Sequence, residues 1–277
     1  MEALAAGLDK GSLPPRATAL TFDDGYADNV LTAKAILEEF EAPATLFVTT
    51  GCVSAGHGFW WDELARLVLG GRAAAEFAVD AGGRRLEAKW PEQARLPGDL
   101  AAWRAGDPTA DPRRVAYVRL WRALQEMRGP EREDAMAALR AQLDDAEPLA
   151  EDAAGRPMTA EMVRAAPSAM ISLGAHGRSH TPLTALPARE RREELEIARL
   201  ELAAMTGGEP PDGLAYPHGS MDAETRAMAA EAGYRWAVTT RQARIDRRRS
   251  DPLALPRLQV GRQEGREMLR AVCEAGY

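Results

Sequence analysis

Residues 16–49 contain a strand, a helix and a second strand with short joints, and this unit constrains the chain more than any other feature. Arg16 to Phe22 reads as an apolar strand that runs straight into Asp23-Asp24-Gly25. Val30, Leu31, Ala33, Ile36, Leu37 and Phe40 return at helical spacing over 27–40. Ala44 to Thr49, entered after Pro43, reads as the next strand. Two strands joined through a helix run parallel, because a tight hairpin cannot connect them. Strand patterns return at 169–175, 213–217, 236–240 and 255–260, and helical patterns at about 158–166, 187–206, 222–232 and 264–275. The chain is therefore of the α/β class, built on a parallel sheet.

The 277 residues suffice for one large domain or two small ones, and 45% are hydrophobic, enough for a sizeable core. The formal net charge is −7, and arginines are interspersed with acids as on solvated helices, which argues against nucleic acid as a partner. No basic start leads into an apolar run, and no stretch approaches the ~20 apolar residues of a membrane span. The expectation is a cytoplasmic protein without a transmembrane segment. Cys52 and Cys273 lack CxxC spacing, and each reads as a small core residue.

Residues 72–156 differ in texture. A hairpin across Gly82-Gly83 and helical runs near 112–128 and 130–145 read as a mainly helical, mostly surface insertion at about 59–156 within a single domain spanning 1–277. Gly51 to Gly58 reads as a small-residue loop. The pair Trp60-Trp61 near the start of the insertion either stacks on a sugar ring or packs the root of the insertion, and packing is the better reading.

Two adjacent carboxylates at a buried strand end repel each other unless a cation or a shared proton offsets them. Asp-Gly is also ordinary turn chemistry, so other residues must decide. Of the four histidines, His176 and His180 sit four apart just after a strand, a spacing that can bring two imidazoles onto one ion. Asp24 could be the third ligand, which would leave Asp23 beside the ion, free to take a proton from bound water as a general base. Tyr216-Pro217-His218-Gly219 forms a turn whose backbone N–H groups could hold an oxyanion or substrate, or else a plain turn before a helix. All three motifs fall at the carboxyl ends of strands, where parallel sheets and barrels gather function.

In this order, Thr21-Phe22-Asp23-Asp24-Gly25, His176-Gly177-Arg178-Ser179-His180 and Leu214-Ala215-Tyr216-Pro217-His218-Gly219 resemble the three motifs of the polysaccharide deacetylase family, the NodB-homology or carbohydrate esterase family 4 domain. Gly233-Tyr234 and Leu255-Pro256-Arg257 fit as well. The resemblance implies a distorted (β/α) barrel of about seven strands, or one strand short of that. It implies a divalent metal, usually zinc, on Asp24, His176 and His180, with Asp23 as catalytic base. The implied reaction is hydrolysis of an N-acetyl group, less often O-acetyl, from a bacterial polysaccharide or glycan precursor. Many members carry an arginine at the position of Ala215 that orients the base, and Arg257 is the candidate to replace it. Many also use a late histidine as the acid for the leaving amine. None follows His218 here, which leaves His218 itself or His57. The rival readings are a non-catalytic carbohydrate-binding domain and, more weakly, a metal phosphoesterase, which lacks a second metal cluster and a glycine-rich phosphate loop.

Overall fold

The computed structural model describes residues 1–14, 17–55, 58–70, 75–90, 103, 109–143, 155–246, 248–260, 265 and 270. In chain order the strands are β1 (Leu20–Phe22), β2 (Ala44–Val48), β3 (Ala75–Ala81), β4 (Arg84–Trp90), β5 (Ile171–Ala175), β6 (Gly213–Ala215), β7 (Trp236–Gln242) and β8 (Leu255–Arg257). The helices are α1 (Glu2–Asp9), α2 (Lys34–Glu39), α3 (Thr50–Ala55), α4 (Trp60–Ala65), α5 (Pro112–Gln125), α6 (Gly129–Leu143), α7 (Ala160–Ala165), α8 (Ala188–Thr206) and α9 (Ala223–Glu231). The chain divides into two compact units, Met1–Gly56 with Pro157–Tyr277, and His57–Arg156.

The first unit is a six-stranded sheet in the order β1-β2-β5-β6-β7-β8, parallel at every pairing. Six strands laid flat would hold the two edges about 24 Å apart, at ~4.8 Å per strand. Yet Arg257 at the end of β8 bonds both carboxylate oxygens of Asp23, just past β1. The sheet must curl to allow this, and the result is a distorted (β/α) barrel.

Period-two alternation sorts the side chains of every strand. On β2, Ala44, Leu46 and Val48 pack outward with Leu37, Val163 and other helix residues, while Phe47 faces the barrel interior with Ala215, Trp236, Val238 and Leu255. Leu8 of α1 joins this inner cluster. The interior is tight. The rings of Phe47 and Trp236 meet edge to face at 5.8 Å, a Cβ on Gly174 would lie 2.6 Å from the Phe47 ring, and one on Gly213 would lie 2.1 Å from that of Trp236. Small residues on β5 and β6 are therefore what lets two large rings fill the barrel.

Local capping is satisfied at several helix ends. Thr159 accepts from the Met162 N–H to cap α7, and Asp222 accepts from Thr225 to cap α9. Gly207, in the left-handed conformation at φ 68°, closes α8. The expected helix over 27–40 begins as a π-helical turn, Asn29–Ala33, before α2.

The second unit corrects the reading of a mostly surface insertion. Trp60, Leu64, Leu67, Phe77, Trp90, Leu120, Leu124, Met136 and Leu139 are all buried in one cluster, so this unit has a core of its own. It joins helices to the antiparallel pair β3–β4, whose turn is at Gly82-Gly83. Two further expectations change. The residues after Thr49 form α3 rather than a loop, and Cys52 on it is half-buried rather than in the core. Cys273, His57 and most of the helix expected at 264–275 lie outside the described residues. Among the described residues no helix is long and apolar enough to cross a membrane.

Candidate metal centre

Strand phase delivers the site. Inner-face residues run to the strand ends, so Asp23 follows Thr21 and His176 follows Gly174 one step past β1 and β5, and Arg257 follows Leu255 as the last residue of β8. Each of these polar groups emerges at the carboxyl rim of the barrel, where no further strand residue covers it. Of the four non-glycine residues with positive φ among those described, three are here: Asp24 (71°), His180 (57°) and His218 (56°). Asp and His tolerate this region better than most residues, but its concentration at one rim marks a place where geometry overrides backbone preference.

Asp24, His176 and His180 each offer one ligand atom, all within 4.8 Å of one another, the only such group among the described residues. His176 Nε2 lies 3.3 Å and His180 Nε2 3.1 Å from the same oxygen, Asp24 Oδ1. His176 Nδ1 lies 2.7 Å from the Ala215 carbonyl. A carbonyl only accepts, so Nδ1 carries the proton, and the Nε2 lone pair of the neutral ring faces the carboxylate. Lone pairs converging in this way repel unless a cation lies between them. Two imidazole nitrogens and one carboxylate oxygen also make the mixed donor set that suits a divalent ion with open coordination positions. The residues fit a metal.

Without an ion between the groups, protons on the imidazoles take the cation's part in the electrostatics. Burial disfavours an ionised Asp24, but hydrogen bonds and charge from His176 and His180 prevail and hold its carboxyl far below the ordinary range. Burial likewise disfavours a charged His176, and the Asp24 bond with the Asp23 charge overcomes it and raises its pKa.

Asp23 has a different partner. Arg257 Nη1 donates to its Oδ1 at 2.7 Å and Nη2 to its Oδ2 at 2.6 Å, a two-pronged ion pair. The guanidinium is itself fixed, donating to Thr21 Oγ1 at 3.1 Å and to the Thr239 carbonyl at 3.1 Å. Burial opposes ionisation of Asp23, yet Arg257 and the nearby His176 keep its pKa below the usual carboxylate value. Sequence reasoning overlooks Thr21 and Thr239 as supports; the two-residue phase of β1, which sets Thr21 beside Asp23, is the available signal for the first.

The turn at 216–219 is narrower in use than expected. Tyr216 lies on the outer face, fully buried with Leu195, Leu214 and Met228, and its hydroxyl donates to the Leu253 carbonyl. The N–H groups of Tyr216, Gly219 and Ser220 are consumed by Val238, Tyr216 and Pro217 carbonyls. Pro217 is buried and its ring abuts Gly177. His218 lies beside the Asp24–His176–His180 group, its ring 4.4 Å from that of His180. Burial, and then charge on His180 and His176, lower its pKa to about 3, so it is neutral near pH 7. Trp60 and Trp61 belong to the second unit. Trp60 is buried in that unit's core under the Arg132 guanidinium, and Trp61 stacks on Phe59 at 4.6 Å.

Comparison with known proteins follows the same line. The family description "Polysaccharide deacetylase" matches residues 10–77 and 145–237, more than half of the chain and both halves of the first unit. Nothing among curated proteins matches by sequence. In structure, the chain is similar to the Streptococcus pyogenes deacetylase PplD, solved in complex with acetate, at a TM-score of 0.58 and 16% identity over 99% of this chain and 77% of that one. It is also similar to IcaB from Ammonifex degensii, at a TM-score of 0.50 and 16% identity over 98% of this chain and 78% of that one. At such identities these likenesses speak to the fold alone. With the match over both halves of the barrel, the chain belongs to the polysaccharide deacetylase family.

Proposed function

We propose that this carbohydrate deacetylase is metal-dependent, with zinc as the ion, and that it removes N-acetyl groups from a bacterial polysaccharide or glycan precursor. The observation that carries the reading is the convergence of His176 Nε2, His180 Nε2 and Asp24 Oδ1 beside a second carboxylate held by its own arginine. Asp24, His176 and His180 would hold the ion. Bound there, it would polarise the acetyl carbonyl, lower the pKa of water toward ~7 and offset the charge that develops on the acetyl oxygen.

Asp23 is the general base. Its ionised state is secured by Arg257, and each carboxylate oxygen keeps a lone pair beyond the one Arg257 uses. One of these takes the proton from the attacking water. Arg257 is a positioning residue that fixes the carboxylate plane and takes the part assigned in relatives to an arginine at the Ala215 position. His218, neutral near pH 7, is a poor reservoir for the proton that the leaving amine needs. Asp23, once protonated, is the better source. Acetate, the molecule bound to PplD in its solved structure, is also the acid this reaction would release.

The test is acetate release from N-acetylglucosamine oligomers by the zinc-loaded protein, with metal content measured alongside. His176→Ala and His180→Ala are expected to lose the metal. Asp23→Asn is expected to keep it and lose turnover by about 10²–10⁴-fold. A fully active Asp23→Asn variant overturns the division of roles. Bound metal and bound oligomer with no acetate from the wild-type protein would mean a carbohydrate-binding domain instead.

A further inference from the structure

The segment that carries both histidine ligands is only five residues long, and its inner three residues are gripped from two sides. On one side is α8. Glu194 Oε2 accepts from the Arg178 N–H at 2.8 Å and from the Ser179 N–H at 2.9 Å. Consecutive N–H groups converging on one oxygen form an anion-binding nest, a geometry that a left-handed residue produces. Gly177 supplies it at φ 69°. A Cβ there would lie 3.3 Å from that same Glu194 oxygen and 3.1 Å from Pro217, so the glycine also makes room for the carboxylate.

On the other side is the start of α3, just past β2. The Thr50 and Gly51 N–H groups donate to the Gly177 and Arg178 carbonyls at 3.3 and 2.9 Å. A Cβ on Gly51 would lie 2.5 Å from the Arg178 carbonyl oxygen, so this approach also requires glycine. Two turns along α8 from Glu194, Glu201 ties the two sides together, accepting from Thr50 Oγ1 at 2.6 Å and from Arg178 Nε at 3.1 Å.

From this geometry we infer that Glu194 is a positioning residue for the metal site: its carboxylate, seated in the nest of Arg178 and Ser179, sets the separation and aim of the His176 and His180 rings. The inference rests on the metal reading given above. A carboxylate bonded to two backbone donors within one loop makes charge-assisted hydrogen bonds, stronger than neutral ones. The loop has no regular secondary structure to hold it. Without Glu194, two N–H groups lose their acceptor, and the loop is free to trade the Gly177 conformation for others. Of the two histidines on this segment, His180 is the one held in the left-handed region, at φ 57°. Loss of a partner beyond the ligands themselves typically weakens metal affinity by about 10–100-fold.

The experiment uses the full chain, stripped of metal and titrated with Zn²⁺ in competition with a chromophoric chelator, and separately with Co²⁺ followed by its visible absorption. Glu194→Ala is expected to weaken Zn²⁺ binding by about 10–100-fold and to shift or weaken the cobalt bands. Glu194→Gln, which keeps an acceptor oxygen, is expected to restore most of both. Glu193→Ala, one residue away and exposed, is the control and should match wild type. Amide exchange at Arg178 and Ser179 in the metal-free protein should accelerate in Glu194→Ala and much less in Glu194→Gln. Wild-type affinity and an unchanged cobalt spectrum in Glu194→Ala would overturn the inference. So would unchanged exchange at the two amides, read in Glu194→Met, which keeps the stem but no acceptor oxygen, if Glu194→Ala does not fold. A wild-type chain that takes up no metal defeats the metal reading instead, and is recognised by that alone.

Discussion

Replacing Arg257 with Met is the most direct probe of how the barrel and its chemistry are joined. The substitution keeps much of the stem and removes the guanidinium that donates twice to Asp23, once to Thr21 and once to the Thr239 carbonyl. Breaking a fully buried ion pair by deleting one partner costs about 3–5 kcal/mol. Arg257 and Asp23 keep 18% and 30% of their side-chain surface exposed, so water screens part of that loss, and about 2–3 kcal/mol is expected. Turnover should fall further than stability alone explains, by about 10²-fold or more, because the base loses its fixed orientation. The pH profile carries the sign. Asp23 is held below its ordinary pKa, so in the wild-type protein its ionisation and the stability it contributes persist above the unfolded value and are lost only as pH falls through the lower folded one. In Arg257→Met that depression is relieved, and the acid limb of kcat/KM should move to higher pH. Arg257→Lys, which keeps the charge but not the fork, should fall between the two. Acetate release followed from about pH 4 to about pH 8, starting where carboxylates ordinarily titrate, with denaturant unfolding on the same samples, measures both effects. An Arg257→Met protein with wild-type kcat and an unmoved acid limb would refute the reasoning.

Two further outcomes follow from the same geometry. Stripping the metal should lower the unfolding midpoint, and restoring zinc at about a thousandfold excess over its dissociation constant should return about 4 kcal/mol, read by thermal unfolding at several zinc concentrations; His176→Ala should show no zinc-dependent shift. Gly213→Ala places a methyl group 2.1 Å from the Trp236 ring, so Trp236 must give way and the barrel should unfold more easily, by about 1–3 kcal/mol in a denaturant titration.

Much of the barrel is legible in the sequence because its signals are local. The strands at Ala44–Val48 and Trp236–Gln242 are short apolar runs bounded by turn residues, and Thr159 and Asp222 announce the helices they cap. The proposed ligand set can be read in the sequence because Asp24 and the His176–His180 pair stand at strand ends in a chain with few histidines. What stays obscure depends on contacts between residues far apart in sequence. Arg257 is named as a partner for Asp23 only through the family resemblance: the pair spans 234 positions, and no local pattern at either residue announces the other. Gly51 looks like loop material until its approach to the Arg178 carbonyl is known. Tyr216 sits within a functional motif yet faces outward, because the alternation of β6 assigns it to the helix side. The insertion's core is hidden because its apolar residues are scattered over α4, the β3–β4 pair, α5 and α6, each too weakly patterned to declare a shared interior.

The bond between Arg257 and Asp23 has a consequence in time as well as in space. One end leaves the ribosome 234 residues before the other. Until β8 is laid down, the carboxylate has no guanidinium to hold it. On the proposed mechanism, a chain cut short before residue 257 would carry Asp24, His176 and His180 and still lack the group that orients its base.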